Sequence, residues 1–275
     1  MTGPTPVLTA APPRRVAIMQ PYLFPYLGYF QLVAAVDEFW LLDTVQFIQH
    51  GWMNRNALLV NGQRTLFTIP VNKRPRLDTI ANKVYGPNAV QDCTRLVKTL
   101  GQSYAKAPHV DTVIAIVQDF ARHLAQTPQP ADFTTATETA LQSCLDAIGL
   151  ATPIRRISSL GLDDTHTGQD RIIAACQTIG AQVYVNMIGG RDLYKADDFA
   201  ASGIDLRFLR PVLPDYDQGL PAFEPGLSIL DVLAHMSPDD IRKMLDAAQI
   251  VDAPIESPTR SEPLSADPGI MGHMK

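Results

Sequence analysis

Two short apolar runs, one helix-length apart, constrain this chain most. RRVAIMQ (14–20) has the pattern of a buried strand that stops at a polar residue and a proline, and FWLLD (39–43) is a second such run ending in a carboxylate. Between them, residues 28–36 carry Phe30, Val33 and Ala34 at the three-to-four spacing of a helix. Strand, helix and strand inside thirty residues make a βαβ unit, whose crossover imposes parallel pairing.

The same rhythm returns late in the chain. PIRRISS (153–159), QVYVNM (182–187) and DLRFLR (205–210) read as strands, residues 168–179 as a helix stopped by Gly180, and 228–235 with 238–248 as a last helical region. The interval between is different. RNALLV and QRTLFTIPV flank Asn61-Gly62, a pair suited to the positive φ angles of a type I′ turn, so 55–71 is expected to be a hairpin at an edge or rim of the sheet. Three amphipathic helices follow at 88–100, 110–124 and 134–148, the last ended by Gly149. The expected fold is a three-layer α/β domain over 14–249. It has a mainly parallel sheet of about five strands, an inserted β-hairpin and a helical middle section over 88–149. The segments 1–13 and 250–275, rich in Pro, Ala, Ser and Thr, read as flexible tails.

Bulk properties exclude some classes. With 275 residues and a formal net charge of −5, the chain offers no long-range basic field for DNA, and its one basic run, KRPR (73–76), reads as a solvated loop. Cys93, Cys144 and Cys176 lack any CxxC spacing and read as reduced, buried thiols of a cytoplasmic protein. No apolar run reaches the length of a membrane span, and residues 1–15 lack the apolar core of a signal peptide. The six histidines form no HExxH or close ligand pair, so no metal site is expected, and no GxSxG elbow occurs.

Ligands of open parallel sheets bind beyond the carboxyl ends of the strands. After the first strand come Gln20 and an aromatic turn containing Tyr26, Gly28 and Tyr29. After the second come Asp43, Gln46 and HGWMNRN (50–56), in which Arg55 is able to grip a carboxylate or phosphate bidentately, flanked by Asn54 and Asn56. Ser158, Ser159 and LDDTHTGQD (162–170) follow the third strand. Asn186, the backbone N–H groups of Gly189 and Gly190, and Tyr194 follow the fourth, and Arg210 with PDYDQ (214–218) the fifth. Amides, hydroxyls and a few charges against aromatic walls are the make-up of a small-molecule pocket. Catalytic candidates are Tyr29, Asp43 and His166; the other named residues are candidate substrate contacts. Plainer readings stand beside these. WMNRN would serve hairpin-entry hydrogen bonds, Gly189-Gly190 a simple turn, and Asp163, Asp164, His166 and Asp170 the start of the next helix, where carboxylates suit the dipole. No catalytic base stands out.

QPYLFPYLGYFQL, then D-x-VQF, then GWMNRN, resembles the start of the WbqC-like family of bacterial proteins. A Ser-Ser pair after a strand, F-x-x-x-GIDLRF and LSILDVLAHM continue the resemblance over 16–236. SYAKAPHV departs from it, with His109 where an aromatic is expected. The resemblance implies an accessory enzyme of O-antigen sugar or specialised-metabolite biosynthesis, with aminoacyl (glycyl) modification of an amino sugar as one role. A second, fold-level similarity is to the HxGH region of pantothenate synthetase and related nucleotidylyl-transferase-like (HUP) folds. It implies that Tyr26 and Tyr29 stand where a phosphate-binding histidine pair would, around Gly28.

The expected function is acyl or aminoacyl transfer to an amine in bacterial glycan or natural-product biosynthesis. The donor stays open between an ATP-made adenylate, an acyl thioester and an aminoacyl-tRNA, and tRNA would enter only as that donor. The alternative is a non-catalytic protein that binds a nucleotide-sugar or an amino acid. A third reading makes the aromatic turn an exposed partner surface, which the burial of its rings decides.

Overall fold

A computed structural model of the chain describes residues 12–72, 78–163 and 165–253. The expectations for the two distal tails, for KRPR and for Asp164 lie outside the described residues. The first strand, β1 (Arg15–Met19), leads through α1 (Leu27–Ala34) into β2 (Glu38–Leu41). The hairpin strands β3 (Arg55–Val60) and β4 (Gln63–Thr68) come next. The helices α2 (Ala89–Ser103), α3 (Val110–Gln126) and α4 (Phe133–Ile148) form the middle section. The α/β rhythm resumes with β5 (Ile154–Arg156), α5 (Gly168–Ile179), β6 (Val183–Met187), α6 (Ala196–Ala201) and β7 (Asp205–Arg210). The last elements are α7 (Ile229–His235), α8 (Pro238–Leu245) and β8 (Gln249–Asp252).

The main sheet runs β5-β2-β1-β6-β7-β8, with the first five strands parallel and β8 antiparallel at one edge. The chain therefore steps outward from β1 to β2 and β5, then returns to the far side of β1 for β6 and β7. The order reverses between β1 and β6, and the crevice above that junction is where such sheets hold ligands.

Strand β1 is central because Val16, Ala17 and Ile18 are all buried, which both-face burial requires. Ala17, Phe39, Leu41 and Val185 face the core shared with α1, the middle helices, α7 and α8. Val16, Ile18, Trp40 and Tyr184 face the smaller core under α5, with Ile172, Cys176 and Phe199. All three thiols are free and buried, as expected.

Four boundaries differ from the sequence reading. The hairpin pairs only with itself, so it docks as a separate two-stranded sheet rather than extending the main one; its turn residues Asn61 and Gly62 take φ 52° and 73°, as the NG signal requires. Strand β5 is three residues long and tightens into a 3₁₀ turn, Ile157–Leu160, because Asp43 draws Ser158 inward. The short helix α6 was not anticipated. Residues 250–252, expected to open the tail, pair with β7 as part of β8 and belong to the sheet.

The aromatic turn after β1 is part of the core. Phe24 is fully buried, its ring 5.7 Å from Phe120 and 6.5 Å from Phe67. Its backbone lies at φ 46°, a strained position for a bulky residue ahead of a proline. Two buried donors hold it there: the Phe24 carbonyl accepts from Asn56 Nδ2 and from Ser228 Oγ, each at 2.8 Å. Gly28 is glycine because the Tyr26 ring folds back over it; a Cβ there would meet that ring at 2.4 Å. At the other end of the chain, the motif LSILDVLAHM supplies Asp231, wholly buried, which accepts from Tyr104 at 2.6 Å and Tyr216 at 2.5 Å. That pair of bonds ties α2 and the long segment after β7 to α7.

Candidate functional site

A cavity of about 760 Å³ opens at the carboxyl edge of the sheet, between the residues after β1 and β2 and the start of α5. Leu42, Val45, Phe47, Ile48, Ile172 and Leu193 form its apolar wall. Its polar lining includes Gln20, Gln46, Gln49, His50, Arg171 and Tyr194, and Gly168 and Gln169 bring the first turn of α5 to its side. None of the described lining residues is an aspartate or glutamate. An apolar wall with a few convergent amides, one guanidinium and one imidazole suits a small polar ligand of negative or neutral charge.

The sequence-predicted contacts divide into two groups. Gln20, Gln46 and Tyr194 line the cavity. Gln20 is 5% exposed and directly follows β1; its Oε1 accepts from the Tyr22 hydroxyl at 3.3 Å. The Tyr194 ring packs edge-on against Tyr184 and Phe199, and burial raises its pKa. Asn186 lies on β6 two residues beyond Tyr184, on the α5 face, is 4% exposed, and makes no side-chain hydrogen bond among the described residues. Gly190 is glycine because the Asn186 amide occupies the space, 2.6 Å from where a Cβ would stand. The close approach that requires glycine at 190 is thus made by a side chain of the protein itself, and Gly189 beside it is exposed.

The other candidates are spent on the protein's own structure. The Tyr29 hydroxyl donates to the Gln20 carbonyl at 3.0 Å in a fully buried setting that pushes its pKa up, so it is neither a base nor a phosphate ligand. Tyr26 and Gly28 pack on each other. Asp43 is 1% exposed and its two carboxylate oxygens accept from the Ser158 N–H at 2.9 Å and the Ser158 hydroxyl at 2.6 Å, which locks the ends of β2 and β5 together. That bond consumes Ser158 as well, and the Ser159 hydroxyl donates to the Arg156 carbonyl at 2.6 Å. Asn54 donates to the Ile69 carbonyl at 3.0 Å across the hairpin entry, and Asn56 holds Phe24. Arg55 lies over the Trp52 ring, 5.5 Å from its centroid, and donates to the His50 carbonyl. Asn54 and Asn56 thus fit the plainer, scaffolding reading of WMNRN, while the buried Nε of Arg55 has no hydrogen-bond partner among the described residues.

His166 is exposed and contributes its carbonyl, which accepts from Arg171 Nε at 2.8 Å. Beside it, Asp163 accepts from the Thr165 N–H at 2.9 Å, which lowers its pKa, and Asp170 sits in the first turn of α5. These carboxylates are helix-entry residues.

Sequence reasoning missed His50, Gln49 and Arg171 as lining residues. His50 stood within the rim segment HGWMNRN but was weighed only as a metal ligand, although a histidine ahead of a glycine in a loop is also a candidate for the left-handed region; its φ is 61°. Arg171 falls one residue past the polar run 162–170, on the helix proper, where it reads as an ordinary surface charge.

The fold is that of a doubly wound α/β protein with a cavity at the carboxyl edge of its sheet. The family model of the WbqC-like proteins matches residues 20–243, and the chain belongs to that family. An uncharacterized protein of Mycobacterium tuberculosis, Rv1507c, is 27% identical over 237 residues, covering 83% of this chain and 98% of that protein. No solved structure matches the chain significantly. Among the described residues, no helix is long and apolar enough to cross a membrane.

Proposed function

We propose that this protein is an enzyme that joins an acyl or aminoacyl group, glycyl among the candidates, to an amine or amino sugar in bacterial glycan or natural-product biosynthesis. The observation that carries the reading is His50, the one histidine among the lining residues of a cavity whose other polar groups are mostly amides. Amide formation needs little more. The amine nitrogen attacks the acyl carbonyl, the C–N bond forms, and the bond to the leaving group breaks, whether that group is an adenylate phosphate, a thiol or a tRNA ribose oxygen. His50 takes the proton the amine sheds, and side-chain amides such as that of Gln49 donate to the carbonyl oxygen as it gains charge.

The test is a product search by mass spectrometry with paired donors and amines: ATP with amino acids, acyl-CoA thioesters, and charged tRNA. A new amide that disappears in a folded His50→Ala variant is the expected outcome; a loss of about a hundredfold or more in turnover is the scale of a positioned general base. The second reading, a binding protein for a nucleotide-sugar or an amino acid, draws on the fact that Tyr29 and Asp43 are both tied up in structural bonds. Tight binding of a small molecule with no product across all donor classes favours that reading. The full burial of Phe24 speaks against the partner-surface reading, while Tyr22 and Tyr26 are half-buried.

A further inference from the structure

Three half-buried arginines, Arg55, Arg171 and Arg191, form no ion pair among the described residues, and of these Arg171 alone lines the cavity. Arg156 reaches Glu138, and Arg64 reaches Glu224. Arg171 has three neutral acceptors instead: its Nη1 donates to the Thr44 carbonyl at 2.9 Å and the Thr44 hydroxyl at 3.1 Å, and its Nε to the His166 carbonyl at 2.8 Å. No carboxylate pairs with it among the described residues. Withdrawing a guanidinium from water without an opposite charge is costly, and carbonyls aim the fork without cancelling its charge. Its Nη2 has no described partner, and the residue lines the cavity.

A second polar group in the same cavity is also unfulfilled. Gln20 is 5% exposed, yet its Nε2 donates to nothing among the described residues; only its Oε1 is engaged, by Tyr22. Leaving a nearly buried amide donor unbonded is unfavourable unless a ligand or solvent completes it. The adjoining start of α5 brings backbone N–H groups to this corner: Thr167 makes no side-chain cap bond and Gly168 lines the cavity, with Asp170 in the same first turn.

We propose that Arg171 and Gln20 form an oxyanion subsite, which holds a phosphate or carboxylate group of the molecule that enters the cavity. The inference rests on reading the cavity as the ligand site and names the charge of its occupant. It also transfers the anion-gripping role that the sequence assigns to Arg55 onto an arginine from the other side of the rim. Arg171 is pre-aimed by main-chain acceptors and delivers a fork that matches two oxygens of an anion.

Calorimetric titration and thermal melts of the full chain at low salt test this with four probes: inorganic phosphate and pyrophosphate in one arm, acetate and glycine in the other. Saturable binding and a raised melting temperature in at least one arm are expected. A response to the first arm alone assigns a phosphate, and to the second alone a carboxylate. Arg171→Gln is expected to weaken the responding probe about tenfold or more, the scale of a charge-assisted hydrogen bond, and Gln20→Ala by less. Because Arg171 also joins two loops, Arg171→Lys, which keeps the charge and loses the fork, and the melting curve of each variant accompany it. No binding in either arm overturns the proposal, as does undiminished binding by a folded Arg171→Gln or Gln20→Ala variant. This outcome separates from that of the proposed reaction. Anion binding that depends on Arg171 without any amide product leaves the subsite standing and removes the transferase. A His50-dependent product whose donor KM is unchanged in a folded Arg171→Gln does the reverse.

Discussion

The turn after β1 and the loop after β2 each hold one residue other than glycine in the left-handed region, Phe24 at φ 46° and His50 at φ 61°. The surroundings differ in every other respect. Phe24 has its carbonyl clamped by two buried side chains and its ring among other aromatics. His50 is exposed, its carbonyl is gripped by Arg55, and the residue lines the cavity. In the first turn the protein filled its own crevice: Tyr26 lies over Gly28 and the Tyr29 hydroxyl bonds the chain before it. In the second it left a hollow between the loop and α5. The first therefore gains packing and loses a ligand site, and the strain at His50 has no comparable packing return. Strain that packing does not explain is where function is worth seeking.

That contrast is open to direct attack. Phe24→Ala removes a ring with no exposed surface and is expected to cost about 3–5 kcal/mol of stability by urea unfolding. A loss below about 1 kcal/mol would mean that the turn is not part of the core and would restore it as a candidate surface.

Alkaline unfolding probes the same cores through their titratable groups. Burial pushes the thiols of Cys93 and Cys176 up to about 12 from 9.0, and Tyr22 up to about 12 from 10.0. The unfolded chain sheds these protons first, so the stability they protect is complete below pH 9 and falls as pH rises from there toward 12. Each thiol contributes a loss of up to about 1.4 kcal/mol per pH unit above its unfolded value. Urea midpoints between pH 8 and about 10.5 read this directly, and Cys176→Ala is expected to flatten the decline. An identical slope in that variant would mean that its thiol is solvated in the folded state.

Asn56→Ala is expected to cost about 1–3 kcal/mol, since it removes one of the two donors to the Phe24 carbonyl and the side-chain acceptor of the Ala57 N–H together. Its effect on ligand binding should be no more than this loss of stability explains. A folded Asn56→Ala with normal stability but no binding would return WMNRN to the site and undo the division drawn above.

How much of this was legible in the sequence depends on what kind of signal a residue gives. Strand and helix periods place β1, β2, β6 and β7 and the three middle helices, because apolar spacing reports which face meets a core. The rim itself follows from the strand ends. Which rim residues remain free does not, since that is decided by partners distant in the chain: Asp43 meets Ser158 across 115 positions, and Phe24 meets Ser228 across 204. The compositionally unusual stretches, the aromatic turn and WMNRN, attracted attention because they satisfy many constraints at once, and most of those constraints are structural. Arg171 and Gln20 are ordinary residues whose importance comes from bonds they do not make. An unmade bond has no sequence signature.

The smallest stability effect bears hardest on the comparison. His50→Gly removes the Cβ that makes φ 61° unfavourable, and the relief, on the order of 1 kcal/mol, is offset in part by the greater freedom of glycine in the unfolded chain. The expected result is a protein between unchanged and about 1 kcal/mol more stable, with turnover in the proposed transfer abolished as fully as in His50→Ala. His50→Ala keeps the Cβ and so gains none of this relief, which makes the pair a control on the backbone term alone. Phe24→Gly relieves the same backbone position and should still fold less well, because the lost ring outweighs the strain. If His50→Gly is destabilised by more than about 1 kcal/mol, the imidazole is a packing element like the Phe24 ring, and the functional reading of the loop after β2 loses its physical basis.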